Sequence, residues 1–277
     1  MNIAVIGLGL IGGSLAKAIK KNTDHTVYGF DLKESITMYA LMDGGIDKAL
    51  DDTNIAQCDY ILLSVYPKAT IEFLKEKAEL ISKSTVVIDC GGVKSSICES
   101  CFEISNKYGF TFIGGHPMAG LHFSGYKYST PDLYNDASMI LTPQNTDDIK
   151  LLEEVTAFLK SLGFSSVTVT TPDNHDRIIA FTSQLAHVVS NAYVKSPQAS
   201  VHKGFSAGSY KDMTRVARLN ENMWSELFLE NKEHLLFEID HLINSLTEYK
   251  EAIENDDTET LRALLKDGSD RKKSIDF

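Results

Sequence analysis

Gly114-Gly115-His116-Pro117-Met118-Ala119-Gly120 mounts an imidazole among glycines and a proline, so the backbone around it is fixed. Histidine titrates near neutrality and suits general-base work. Further along, Asp176, Ala180, Ser183, His187 and Asn191 recur at helical spacing. Asp176 and His187 are 11 residues apart, about three turns, and should share a face. Ile178, Ile179, Phe181, Leu185, Val188 and Val189 fill the other faces, which predicts a buried helix. A polar stripe on such a helix is either a ligand wall or a set of satisfied core groups. The chain has five arginines, and two of them, Arg215 and Arg218, lie in one short segment. Arginine favours bidentate carboxylate recognition, so this pair is a candidate anion clamp, with a solvated helix end as the plainer alternative. Trp224, the only tryptophan, lies nearby and is either part of that site or core.

The N-terminus supplies a second kind of chemistry. Asn2-Ile3-Ala4-Val5-Ile6 reads as an apolar strand, and Gly7, Gly9 and Gly12 follow as G-x-G-x-x-G at the start of a helical pattern. That context makes a weak motif specific for a dinucleotide. Gly7 allows the tight turn, Gly9 lets the backbone approach a pyrophosphate, and Gly12 lets helix and strand pack closely. The first N–H groups of the helix, at Leu10 and Ile11, would meet the anion. Asp31 ends the second strand, 19 residues past Gly12, where a carboxylate binds ribose hydroxyls and repels a 2′-phosphate. The expected cofactor is therefore NAD. Ser64, Val65 and Pro67 follow a later strand at its carboxyl end, in the same crevice. Beside such a site His116 gains a purpose, because hydride removal from a carbinol needs a base for the hydroxyl proton.

These residues need a scaffold. Apolar runs at about 2–6, 26–30, 59–65, 85–89 and 111–114 alternate with helical patterns at about 10–21, 34–43, 67–81 and 95–107. Such alternation predicts a parallel sheet covered on both faces. A strand at about 137–142, a helix at about 147–162 and a strand at about 165–169 follow. After Thr171-Pro172 the pattern turns helical: about 173–195, 220–250 and 253–266, with a frayed end from Gly268. The reading is an α/β Rossmann-type domain over 1–171 and an all-α domain over 172–277. The apolar positions after 220 exceed one stripe, as in a helix buried by two neighbours.

Composition excludes several classes. Hydrophobic residues at 43% and charged residues at 23% suit a packed globular chain. The 27 basic against 38 acidic residues argue against nucleic-acid binding, and an anionic substrate would need a local cationic cluster. No apolar run is long enough to span a membrane and no signal-peptide pattern precedes the first strand, so a cytoplasmic protein is expected. Cys98-x-x-Cys101 has zinc-ligand spacing, but with Cys58 and Cys90 it completes no site, so no metal is expected.

The ordered motifs resemble the prephenate dehydrogenase family, which includes arogenate dehydrogenases. The resemblance rests on G-L-G-L-I-G-G-S, the strand-end Asp31, D-C-G-G-V-K (89–94), G-G-H-P-M-A-G (114–120), H-D-R (175–177), Q-L-A-H (184–187), K-D-M-T-R (211–215) and W-S-E-L-F-L-E-N (224–231). It implies the minimal two-domain form and NAD-dependent oxidative decarboxylation of prephenate to 4-hydroxyphenylpyruvate, in tyrosine biosynthesis. In that family's terms His116 takes or holds the C4 hydroxyl proton. Arg215 grips a substrate carboxylate, with Asp176 pairing to orient it. His187 bonds the side-chain end of the substrate and Lys211 stands at the entrance. A homodimer through the C-terminal helices is implied as well.

The chain departs from the family at two places. Gly92 stands where the family usually has a serine supporting the histidine, so water, Ser95, Ser96 or another group must hold His116. His122 stands where the family often has an acidic residue, which leaves Lys211 without a permanently negative partner and places a second cation at the substrate, disfavouring the amino group of arogenate. Two other readings are a β-hydroxyacid or imine oxidoreductase, with Lys195 or Lys203 as its catalytic lysine, and a non-enzymatic NAD-binding sensor.

Overall fold

The computed structural model describes residues 1–121 and 123–275, so His122 lies outside the described residues. The eight strands are β1 (Asn2–Ile6), β2 (Thr26–Phe30), β3 (Lys48–Ala49), β4 (Tyr60–Leu63), β5 (Val86–Asp89), β6 (Thr111–Pro117), β7 (Ser138–Pro143) and β8 (Ser166–Val169). They form one sheet in the order β3-β2-β1-β4-β5-β6-β7-β8. All neighbours run parallel except β6 and β7. The strand order reverses between β1 and β4, a topological switch point that opens a crevice at the carboxyl ends. Register aligns Ile6 with Phe30 and Leu63, and Leu63 with Asp89, so the following loops gather on one edge.

Helices α1 (Leu10–Asn22), α2 (Glu34–Met42), α3 (Pro67–Lys77), α4 (Ser95–Tyr108) and α5 (Ile149–Ser161) cover the sheet. Ile3 and Val5 face a core with Leu15, Ile19 and Phe158, whereas Ala4 and Ile6 face another with Leu74, Ile97 and Phe112. Burial on both faces explains why the strands read as continuous apolar runs. β3 is too short and polar to give such a signal. β6 runs to Pro117 rather than stopping near 114, because Gly115 and His116 pair with Leu141 and Ile140 of β7. His116 is therefore on a strand that outruns β5.

The helical part holds α6 (Pro172–Ile179), α7 (Ala186–Tyr193), α8 (Gly208–Thr214), α9 (Glu221–Glu230), α10 (Lys232–Glu254) and α11 (Thr258–Ile275). The Thr171 hydroxyl accepts the Asn174 N–H at 3.2 Å and Pro172 fills the first turn, which fixes the start of α6. A π-helical turn, Ala180–Leu185, joins α6 to α7. Its wider winding breaks the register expected between Asp176 and His187.

The single helix expected over 220–250 is divided at Asn231. This buried side chain donates to the Asp176 carbonyl and to Gln184 Oε1, both at 2.8 Å. Gln184 in turn donates to the Leu227 carbonyl at 3.2 Å. The network ties the helix break to the π turn. The end expected to fray from Gly268 is helical to Ile275, supported by i,i+4 pairs Lys266–Asp270 and Arg271–Asp267.

Candidate active site

The cofactor half is built by backbone. Gly7 has φ +84°, a conformation that a Cβ would strain. A Cβ on Gly12 would strike the Gly7 carbonyl and the Ser64 side chain, so α1 sits directly on the turn. A Cβ on Gly9 would meet nothing, so open space lies before the N-terminus of α1. Gly9 is the N-cap and offers no side chain, and α1 begins with Leu10 and Ile11. That leaves their N–H groups for an anion. Asp31 accepts Leu8 N–H at 3.0 Å and Lys33 N–H at 2.9 Å, which fixes the carboxylate at the end of β2. Ser64 and Val65 pack against Gly7, and Pro67 opens α3 beside them. Open space, positive helix end and fixed carboxylate together fit a dinucleotide.

His116 is held from two sides. Beneath it, Asp89 accepts Gly115 N–H at 3.0 Å and Gly91 N–H at 2.8 Å. Lys94, fully buried, pairs with Asp89 and donates to the Gly115 carbonyl at 2.7 Å. A buried charge survives only when paired in this way, and the pair clamps both backbone groups of the residue before His116. From the helical side, His116 Nδ1 lies 2.9 Å from His175 Nε2, and His175 Nδ1 lies 2.7 Å from Asp176 Oδ1. In the sequence His175 stands only as the first letter of H-D-R beside Asp176, with nothing in the spacing to aim it at residue 116.

Asp176 is buried, and burial alone would raise its carboxyl. Hydrogen bonds from His175, the Ser95 hydroxyl and the Ser95 N–H outweigh that and hold it below the usual carboxylate range. The His116 imidazole is pushed well below its ordinary value, first by burial, then by electrostatic repulsion of a second positive charge beside His175 and the Lys94 ammonium, with Asp176 opposing. A neutral imidazole is the form a general base needs. Support for His116 comes from His175, so Gly92 leaves no gap. Ser95 serves Asp176 instead, and the Ser96 hydroxyl has no hydrogen-bond partner among the described residues. A Cβ on Gly92 would touch Leu227 at an ordinary 3.5 Å.

The expected Asp176–Arg215 pair does not form. The Asp176 carboxylate turns instead to the N-terminus of α4, accepting the Lys94 and Ser95 N–H groups at 2.8 Å each. Unpaired N–H groups and a positive helix end are a natural seat for a carboxylate. Arg215 is exposed just past α8 and makes no ion pair among the described residues. Ser190 and Asn191 of α7 bond to the Met213 and Ala217 carbonyls, at 2.7 and 3.0 Å. They seat the 213–217 turn about one helical turn beyond His187.

His187 Nδ1–H donates to the Ser183 carbonyl at 2.7 Å, and its ring centre lies 4.0 Å from that of Trp224, the planes tilted by 32°. Trp224 is half-buried rather than core. Its helix α9 lies across the crevice rim, with Glu226 accepting Lys68 N–H at 3.2 Å and Leu227 packed toward Gly92. Lys211 is exposed on α8, and Lys195 and Lys203 are exposed outside any helix.

The four cysteines are unpaired, and burial pushes the Cys98 and Cys90 thiols up to about 12. Among the described residues no cluster of His, Cys, Asp and Glu could hold a metal ion. No helix there is long and apolar enough to cross a membrane.

Residues 15–168 match the family profile described as prephenate dehydrogenase, nucleotide-binding domain, and residues 171–267 match prephenate dehydrogenase, dimerization domain. The chain is 29% identical to prephenate dehydrogenase of Bacillus subtilis (strain 168), over 99% of this chain and 76% of that one. It superposes on prephenate dehydrogenase from A. aeolicus, in complex with hydroxyphenyl propionate and NAD+, with TM-score 0.85 and 32% identity, covering 100% of this chain and 98% of that one. Synechocystis arogenate dehydrogenase gives TM-score 0.83 and 26% identity, covering 99% and 100%.

Proposed function

The chain belongs to the prephenate dehydrogenase family, and from that we propose how its residues carry out NAD-dependent oxidative decarboxylation of prephenate. The enzyme is an NAD-dependent oxidoreductase, and its product is 4-hydroxyphenylpyruvate, on the route to tyrosine. When bound, NAD would supply the hydride acceptor for C4 of the substrate. Gly7, Gly9, Leu10, Ile11 and Gly12 would receive its pyrophosphate, Asp31 its ribose, and Ser64, Val65 and Pro67 would border the nicotinamide end. His116 Nε2 takes the C4 hydroxyl proton. Loss of the ring carboxylate as CO2 then aromatises the ring.

Arg215, Lys211 and His187, with Trp224 beside it, face the substrate dianion from the helical side. Asp176 acts on the substrate only through the groups it fixes. The observation that carries this reading is His116 mounted at the carboxyl end of the sheet and joined to α6 by a 2.9 Å contact. Prephenate with NAD is expected to give NADH, CO2 and 4-hydroxyphenylpyruvate in equal amounts, with arogenate the poorer substrate. No NADH from either would contradict the assignment.

The chain acts as a homodimer in this reading. Ile243, Leu246 and Ile253 are more than half exposed in the single chain, and their spacing puts them on one face of α10. Exposed apolar surface gathered on one helix face needs a cover. The cytoplasm is the proposed setting, consistent with four unpaired thiols that a reducing compartment preserves.

A further inference from the structure

We propose that His175 is a proton store for the reaction: it receives the substrate's proton through His116, holds it beside Asp176, and returns it. This rests on the function proposed above and adds a second histidine to it. Conversion of prephenate and NAD to 4-hydroxyphenylpyruvate, CO2 and NADH releases no net proton. The proton that leaves the C4 hydroxyl during oxidation must come back to the same oxygen when decarboxylation makes the phenol. A site that keeps this proton close has no need to exchange it with solvent.

The hydrogen bonds fix the direction of transfer. The Asp176 carboxylate can only accept, so His175 Nδ1 carries the hydrogen at 2.7 Å. His175 Nε2 then holds a lone pair and accepts His116 Nδ1–H at 2.9 Å. His116 Nε2 is left as the basic atom. Its O–H partner breaks as the new Nε2–H bond forms. The Nδ1–H bond of His116 breaks in turn, and a bond from that hydrogen to His175 Nε2 forms. His116 is again neutral, and the positive charge rests on His175, in contact with a carboxylate. On decarboxylation the same two transfers run backward to the phenolate oxygen.

Charge placement favours this path. His116 faces His175 and Asp176 from α6, and Lys94 and Asp89 from the β5–α4 side. Burial and the Lys94 ammonium disfavour a cation on His116. One imidazole further, the cation touches Asp176 Oδ1. Asp176 is itself tied to Lys94 N–H and Ser95 N–H, so it cannot swing away.

His175→Gln tests the store because the amide oxygen can still accept His116 Nδ1–H but cannot carry a proton. Expected are kcat lower by about 10–100-fold, KM little changed, and an acid limb of kcat/KM moved to lower pH, since a proton on His116 no longer reaches Asp176. The proton inventory of kcat in mixed H2O and D2O should also change from bowed to linear. A kcat within about 3-fold of the parent, or a lower kcat with an unmoved acid limb, would overturn the proposal. A second readout needs neither substrate nor variant. In the ¹⁵N-histidine spectrum of the unliganded protein, acidification should place the first added proton on His175, with His116 remaining neutral. A first proton on His116 would overturn the proposal. Failure of the parent enzyme to turn over prephenate would instead count against the function, and the spectrum would still decide the store.

Discussion

Asp176 accepts the backbone N–H of Ser95 at 2.8 Å, so a carboxylate of the helical part caps a helix of the sheet part. The same side chain accepts Lys94 N–H and contacts His175. One buried residue thus ties the two parts together and lies one histidine away from His116.

That linkage makes Asp176 a stability residue. Asp176→Asn should cost roughly 1.5–3 kcal/mol, the worth of hydrogen bonds to a charged group. The sign with pH follows from its depressed folded pKa. Its contribution is complete above the unfolded carboxylate value of about 3.9 and fades as pH falls through the lower folded value. Denaturant melts at several pH values should show parent and variant differing at neutrality and converging in acid. A gap that widens below that value would contradict this.

His116→Asn should lower kcat by about 10²–10⁴-fold, the usual worth of a general base. NAD binding, followed by titration, should be unaffected, because the residue lies beyond the glycine turn. A variant with full kcat would remove His116 from the proton path.

Asp31→Ala should weaken NAD and narrow its advantage over NADP. The carboxylate is held by Leu8 and Lys33 N–H groups at the end of β2, where a ribose would sit. Measured Kd values for both cofactors give the answer, and an unchanged ratio would place Asp31 away from the ribose.

Leu246→Glu should shift the oligomer toward monomer. Leu246 is 58% exposed in the single chain, and its spacing puts it with Ile239, Leu242, Ile243 and Ile253 on the apolar face of α10. Mass measured in solution should be twice that of the chain for the parent and lower for the variant on dilution. A monomeric parent would refute the dimer.

The sheet was legible because its strands are buried on both faces and its turns carry glycines, a pattern that no solvent-facing helix imitates. His116 was legible as a mounted imidazole, though its strand was cut short, since Gly-Gly-His-Pro has turn chemistry and the pairing with β7 is non-local. The helical part is less legible. A π turn leaves no mark in apolar spacing, so the sequence puts Asp176 and His187 on one stripe that the winding separates. The break at Asn231 depends on partners 47 and 55 residues away. The Asp176–Arg215 pair that the resemblance implies does not form, because α4's N–H groups, which carry no formal charge and leave no mark in the sequence, take the carboxylate. His175 aims at His116 across 59 residues, a relationship only the fold creates.

The central claim is that the imidazole of His116 and the guanidinium of Arg215 act on one substrate molecule. A crystal structure with NAD and 4-hydroxyphenylpyruvate tests it most directly. The expected result is His116 Nε2 within hydrogen-bond distance of the phenol oxygen, with Arg215, of the same or the partner subunit, on the product carboxylate. Product bound with the two side chains on separate molecules, or on opposite faces of the assembly, would contradict the account.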